Sequence, residues 1–184
     1  MRLISDMEQK RTTIYHELLI LQAQGGNKEA FEGLVKVWDR PFFSYARAYT
    51  GCEAAAWDIV QETWVVIIGK LNALSHPTKF KSWAFRILNH KCVDHFRKAA
   101  ADKKLSHSLA EKIDRKDAQN SDKHETLHAA LQQLTSDQKT LVLLRFNQAM
   151  SILEISTILG IPEGTVKSRL HRTLNELKLS LQGD

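Results

Sequence analysis

The chain has 184 residues, 43 % of them hydrophobic, with a formal charge of +5; this is the composition of a folded chain of one domain or two small ones, and it excludes a disordered polymer. No run approaches the roughly 18 apolar residues of a membrane span, and the start MRLISDMEQKR lacks the apolar stretch of a secretory signal. Two cysteines, Cys52 and Cys92, make no disulfide framework and point to a reduced, cytosolic setting.

Apolar residues rarely alternate at period two, so strands find no support and the expected class is all-α. A first helix is predicted over 13–24, ended by Gly25-Gly26. Asn27 is a candidate N-cap for a second helix, which Pro41 kinks or restarts before a stop at Gly51. In residues 53–71, Trp57, Val60, Trp64, Ile68 and Leu71 form one apolar stripe and Ile59, Thr63, Val66 and Ile67 a second. A helix buried on two sides belongs inside a bundle; its third face carries Asp58, Gln61, Glu62 and Val65. A short loop and a long helix follow over 75–98.

Charge is unevenly distributed. From Lys79 to Lys104 eight Lys/Arg face two Asp, a local +6, whereas Lys28 to Lys70 sums to −1. Residues 99–124 hold few large apolar side chains and many charges of both signs, which predicts a flexible or partly helical linker. Its charge is balanced, six basic against six acidic from Ala101 to Glu125, as suits a hinge between two units. The organisation is therefore an N-terminal helical bundle (1–98), a linker (99–124) and a second helical unit (125–184).

In the second unit Thr135 or Ser136 caps a helix DQKTLVLLRF. Next, Ile152, Ile155 and Leu159 give the apolar face of a short helix, and Gly160 stands where a sharp turn needs positive φ. Ser156 is small, as a close crossing of two helices requires, and Pro162 pre-sets φ for the following helix. There Val166, Leu170, Leu174, Leu177 and Leu181 make an inward stripe. At about 100° per residue the opposite face carries Thr165, Ser168, Arg172 and Asn175, flanked by His171, Lys167 and Arg169. A small residue, a turn glycine, a proline start and a basic outer face together predict a helix-turn-helix whose second helix enters a DNA major groove.

The run EIS…GIPEGTVKSRLHR resembles the promoter-binding C-terminal domain of bacterial RNA polymerase sigma factors, specifically the two-domain extracytoplasmic-function (ECF) group of the sigma-70 family. The first half agrees: WDIVQETW is similar to that family's core-binding helix, and FKSWAFRILNHKCVDHFRK to its promoter-melting and recognition helix. The likeness covers about residues 17–98 and 127–180. The family often has Leu-Pro where this chain has Leu134-Thr135, and Tyr-Glu-Glu-Ile-Ala where it has Ile152-Leu153-Glu154-Ile155-Ser156. Both departures miss the basic face.

The resemblance implies that 1–98 is the region 2 domain and 125–184 the region 4 domain of a sigma factor, which recruits core polymerase to promoters and aids melting. It implies that Asp58, Gln61 and Glu62 dock on the clamp helices of the largest polymerase subunit, with the flap region as a further contact. Lys79, Lys81, Trp83, Arg86, Asn89, His90, Arg97 and Lys98 would serve the minus-10 element, its phosphates neutralised by the cations and its extruded bases held by stacking. Thr165, Lys167, Ser168, Arg169, His171 and Arg172 would serve the minus-35 element. Arg172 is the favoured base reader and Lys167 a phosphate anchor. An anti-sigma factor is the expected regulator, with no direct membrane insertion of this chain and a cytoplasmic location.

Helical metal-ligand spacings occur at His90/Asp94/His95 and His124/His128, but two or three scattered ligands make no site. Neither a metal nor another cofactor is expected. No nucleophile motif or phosphate loop stands out, so no enzymatic activity is expected. The competing reading is a helix-turn-helix repressor or activator with a helical sensing domain, which does not need the basic–aromatic block at 79–98. A helical adaptor leaves the Arg172 face unexplained.

Overall fold

The computed structural model describes residues 2–105 and 130–182, and the side chains of 11–98 and 130–181. Among the described residues the fold is all helical, as expected. The elements are α1 (Arg2–Gln24), α2 (Lys28–Thr50), α3 (Glu53–Lys70), α4 (Phe80–Leu105), α5 (Ser136–Val142), α6 (Ile152–Leu159) and α7 (Glu163–Gln182). Residues 106–129, which hold most of the predicted linker and the His124/His128 pair, lie outside the described residues.

Chain stops are set by local chemistry. Gly26 at φ 87 and Gly51 at φ 75 occupy the left-handed region that ends helices. Asn27 Oδ1 accepts from Ala30 N at 2.9 Å, the predicted cap. Gln24 Nε2 donates to Leu71 O and Leu74 O at 2.9 and 2.8 Å, tying the end of α1 to the short 3₁₀ turn Leu71–Ala73 after α3.

Pro41 does not restart α2, which runs through it as one helix. Its φ is already helical, so the cost is one lost hydrogen bond to Val37 and local crowding. Burial of Leu34, Phe42, Tyr45, Ala46 and Tyr49 along the same helix outweighs it. The N-terminal core is an aromatic lattice. Phe42 meets Trp38, Trp64 and Phe85 at centroid distances of 5.9, 5.2 and 5.3 Å, mostly tilted or edge-on, as ring quadrupoles prefer. Trp64 Nε1 reaches Asp39 Oδ1 at 3.0 Å, so the indole is satisfied.

α3 corrects its predicted stripes. Ala56, Ile59, Val60, Thr63, Trp64 and Ile67 are buried, whereas Trp57 and Ile68 are 39 % and 60 % exposed. α4 continues as helix to Leu105, beyond the boundary at 98.

In the C-terminal part Thr135 is the cap, in a reciprocal box with Gln138. After α5 the chain widens into a π-helical stretch, Leu143–Asn147, closed by Gln148 N to Leu143 O at 3.1 Å. Ser151 and Glu154 form a second capping box at the start of α6. The two halves share one continuous apolar core. α4 packs on α6, and α2 on the π-helical stretch. This closeness was not readable from the separate periodicities.

Candidate nucleic-acid and polymerase interfaces

Gly160 ends α6 at φ 67, ψ 31, as predicted for the turn. Ser156 does more than leave room: its hydroxyl donates to Ile161 O at 2.6 Å, and its carbonyl accepts from Gly160 N at 2.8 Å, so one residue ties both sides of the turn. Pro162 precedes α7 rather than lying within it; its carbonyl accepts from Val166 N at 3.0 Å, the helix's first bond. The buried stripe of α7 is Val166, Leu170, Thr173 and Leu177. Leu174 and Leu181 face outward instead, a correction to the leucine stripe. Thr173 fits inside because its hydroxyl is satisfied by Arg169 O at 2.9 Å.

That packing leaves Lys167, Ser168, Arg169, His171 and Arg172 exposed and Thr165 half-buried. Ser168 Oγ is turned back onto Thr165 O at 3.1 Å, and His171 Nδ1 lies 3.4 Å from Asn175 Nδ2. The two arginines have no acidic neighbour within ion-pair distance among the described residues. A forked cation held free at the N-terminal half of the second helix of a helix-turn-helix suits bidentate base contact.

Lys79, just before α4, and Arg86, His90, Arg97 and Lys98 on it are exposed, and Trp83 is half-buried against Phe80 at 5.9 Å. Phe85, between Trp83 and Arg86 in sequence, is wholly in the core. Two members of the set face the C-terminal part. Lys81 Nζ pairs with Glu154 Oε1 at 3.0 Å. Asn89 is 6 % exposed, its Oδ1 accepting from Tyr45 OH at 2.8 Å and from Thr140 Oγ1 at 2.9 Å.

The outer face of α3 brings Asp58, Gln61 and Glu62 together in solvent, beside Trp57, Val65 and Ile68. Val65, read on this face from the sequence, is 70 % exposed, whereas Trp57 and Ile68 were missed as part of it because they fit an inward stripe equally well. Exposed β-branched and aromatic side chains thus interleave with the acids on this face. Glu62 is held below its ordinary pKa by the hydrogen bond from Lys91 Nζ at 2.8 Å.

Sequence reasoning also missed a buried lysine. Lys139 is fully enclosed, with Nζ donating to Gln132 Oε1 at 2.8 Å and to Tyr49 O at 3.2 Å. The rings of Tyr49 and Phe96 lie 5.5 and 5.3 Å from Nζ. Burial lowers its pKa to about 8. The available signal was a lysine on the apolar side of DQKTLVLLRF. An apolar groove of about 610 Å³ was likewise unforeseen; Ala48, Leu143, Phe146, Leu174, Leu177 and Leu181 line it.

Family comparisons meet this geometry. Sigma-70 region 2 matches residues 32–101, and sigma-70, region 4 matches residues 124–177. The RNA polymerase sigma factor SigV of Bacillus subtilis is 31 % identical over 76 % of this chain and 84 % of its own length. The ECF RNA polymerase sigma factor SigL of Mycobacterium tuberculosis is 32 % identical over 75 % of this chain and 81 % of its own. The chain belongs to the ECF sigma factors of the sigma-70 family.

A solved structure of CnrH with the cytosolic domain of CnrY aligns with this sigma factor at a TM-score of 0.72 and 25 % identity, covering 92 % of this chain and 99 % of that one. The sigma factor RpoE of Bartonella quintana, solved with the anti-sigma factor NepR, aligns at 0.69 and 25 % identity, covering 84 % and 98 %. As a sigma factor the chain works with core RNA polymerase on promoter DNA. Among the described residues no helix is long and apolar enough to cross a membrane.

Proposed function

We propose that this sigma factor docks core polymerase through the outer face of α3, reads the minus-10 element with α4 and reads the minus-35 element with α7. The observation that carries the reading is the separation of chemistries. Free arginines stand on the second helix of a helix-turn-helix, and an acid-and-apolar face stands alone on α3. Asp58, Gln61 and Glu62 supply hydrogen bonds and charge to the clamp helices, and Trp57, Val65 and Ile68 supply buried area. Arg172 and Arg169 read base edges, Lys167 grips phosphate, and Thr165, Ser168 and His171 line the approach. Lys79, Arg86, His90, Arg97 and Lys98 neutralise the opened strand, with Trp83 as the available ring. The chain itself does no chemistry; the polymerase makes the bonds, in the cytoplasm.

An anti-sigma factor regulates it in this reading. RpoE of Bartonella quintana was solved with the anti-sigma factor NepR, and CnrH with the cytosolic domain of CnrY. The apolar groove bounded by Phe146, Leu174 and Leu181 suits an amphipathic partner helix. Run-off transcription with core polymerase, this protein and a genomic DNA library tests the whole reading. Transcripts sharing a two-element upstream motif are expected. No transcripts, together with tight binding of duplex DNA by the protein alone, would favour the repressor or activator instead.

A further inference from the structure

The apolar groove lies outside every surface assigned above to DNA or to the clamp helices. Ala48 of α2, Val142 at the end of α5, Leu143 and Phe146 of the π-helical stretch, and Leu174 and Leu181 of α7 wall a volume of about 610 Å³. Phe146, Leu174 and Leu181 stay exposed, so the walls face solvent rather than closing on one another. Only two polar side chains border the groove, Asn147 and Lys178. The Asn147 amide already donates to Ser44 Oγ at 3.2 Å. Lys178 stands four residues after Leu174 and three before Leu181, which puts all three on one face of α7. Among the described residues no carboxylate lies within ion-pair distance of Lys178. Glu176, the acid nearest to it in sequence, accepts from Gln138 Nε2 instead.

A second hollow, of about 490 Å³, adjoins the groove and shares Ala48 and Asn147 with it. It follows α2 past Arg47, Ser44, Phe43 and Arg40. Neither arginine has a carboxylate within ion-pair distance among the described residues. An apolar trough therefore runs into a cationic one. A cavity of a few hundred Å³, apolar with a small number of polar groups at its edge, has the size and polarity of a small-molecule site. A lysine stem lies readily along such walls while its ammonium stays at the rim. Charge complementarity then selects the ligand. A neutral apolar molecule would leave Lys178 and Arg47 unpaired, and a cationic one would be repelled by them. An anion with a long apolar tail satisfies both parts.

We propose that the groove binds a free single-chain fatty acid, its tail against Phe146, Leu174 and Leu181 and its carboxylate met by Lys178 and, across Ala48, by Arg47. The site does not depend on how α3, α4 or α7 meets polymerase and promoter. A partner helix seated in the same groove would exclude the fatty acid, so the two occupants compete. The binding test below uses the chain alone and stands apart from that reading.

The test is calorimetric titration of the full-length chain with decanoate and dodecanoate below their micelle concentrations, with amide NMR shifts to place the ligand. Saturable binding at one site is expected, with shifts centred on Ala48, Phe146, Leu174 and Lys178. Each buried methylene is worth about fourfold in affinity, so dodecanoate should bind about tenfold more tightly than decanoate. Dodecyltrimethylammonium, the same tail with a cationic head, should bind at least tenfold more weakly than dodecanoate. The double variant Arg47→Gln/Lys178→Glu should reverse that order with circular dichroism unchanged. Phe146→Ala, which removes part of the wall, should weaken both heads alike. Absence of saturable binding below the micelle concentration would overturn the proposal. So would equal affinity for the two heads, shifts away from the groove, or a folded double variant that keeps the wild-type order. Co-sedimentation with phosphatidylglycerol vesicles without binding of the free acids would also overturn it, as a membrane contact instead.

Discussion

Gly160 offers the sharpest test of the turn that aims α7. A Cβ added there meets nothing within 4 Å, so substitution to alanine acts through the backbone alone. At φ 67 an L side chain costs about 1–2 kcal/mol. Restricting the unfolded chain returns about 0.4–1 kcal/mol. The net expectation for Gly160→Ala is a loss of about 1 kcal/mol. Gly164 is the internal control: its Cβ also meets nothing, its φ is not positive, and it sits in the first turn of α7. Gly164→Ala should stabilise by about 0.5 kcal/mol. With a urea slope of about 2 kcal/mol/M, the midpoints should move down by about 0.5 M and up by about 0.25 M. Equal shifts of one sign would show that the left-handed residue is not what closes the turn.

Arg172→Ala should weaken binding of promoter duplex about tenfold and relax preference at one or two base pairs, read by competition against a randomised minus-35 library; an unchanged preference would transfer base reading to Arg169. Glu62→Lys faces Lys91 with a like charge on a solvated surface, so circular dichroism should be unchanged while co-purification with core polymerase falls; normal recovery of the complex removes the α3 docking face. Lys139 gives a pH signature. Its folded pKa of about 8 lies below the ordinary 10.5, so the unfolded state binds more protons between those values and stability contributed by this group rises with pH there. Tyr45, Tyr49 and Cys92, all raised by burial, and Asp137 nearby act in both wild type and Lys139→Met. The difference between the two proteins should therefore favour the wild type more at pH 9.5 than at 7.5, on the order of 1 kcal/mol by urea denaturation. A difference that is flat across this range would contradict the enclosed ammonium.

The helix-turn-helix was legible because its signals are local: a turn glycine, a cap and a four-residue period act within a few residues of each other. The same holds for Asn27 and Gly51. Three features were not. Trp57 and Ile68 keep helical spacing whether the stripe meets the protein's own core or another protein, so periodicity is silent on which. Continuity of α2 through Pro41 depended on burial of Phe42, Tyr45 and Tyr49 by helices far along the chain. Burial of Lys139 needed Tyr49, Phe96 and Gln132 to converge from separate segments, and nothing in its own neighbourhood announces the carbonyl it would find. Asn89 illustrates both sides: its position on α4 was readable, its engagement with Thr140 was not.

The π-helical stretch from Leu143 to Asn147 means that the helix after Thr135 carries one residue more than a regular ladder accommodates. Phe146 is turned outward by it, 60 % exposed at the mouth of the apolar groove, while Asn147 and Gln148 come round to meet Ser44 and Pro41. Excising a single residue there would restore the ordinary ladder and rotate everything downstream by about 100°. The groove would lose its rim and the next helix its seat on α4, with every side chain of α7 retained. In this chain the phase of that one turn sets where the groove rim and the next helix lie.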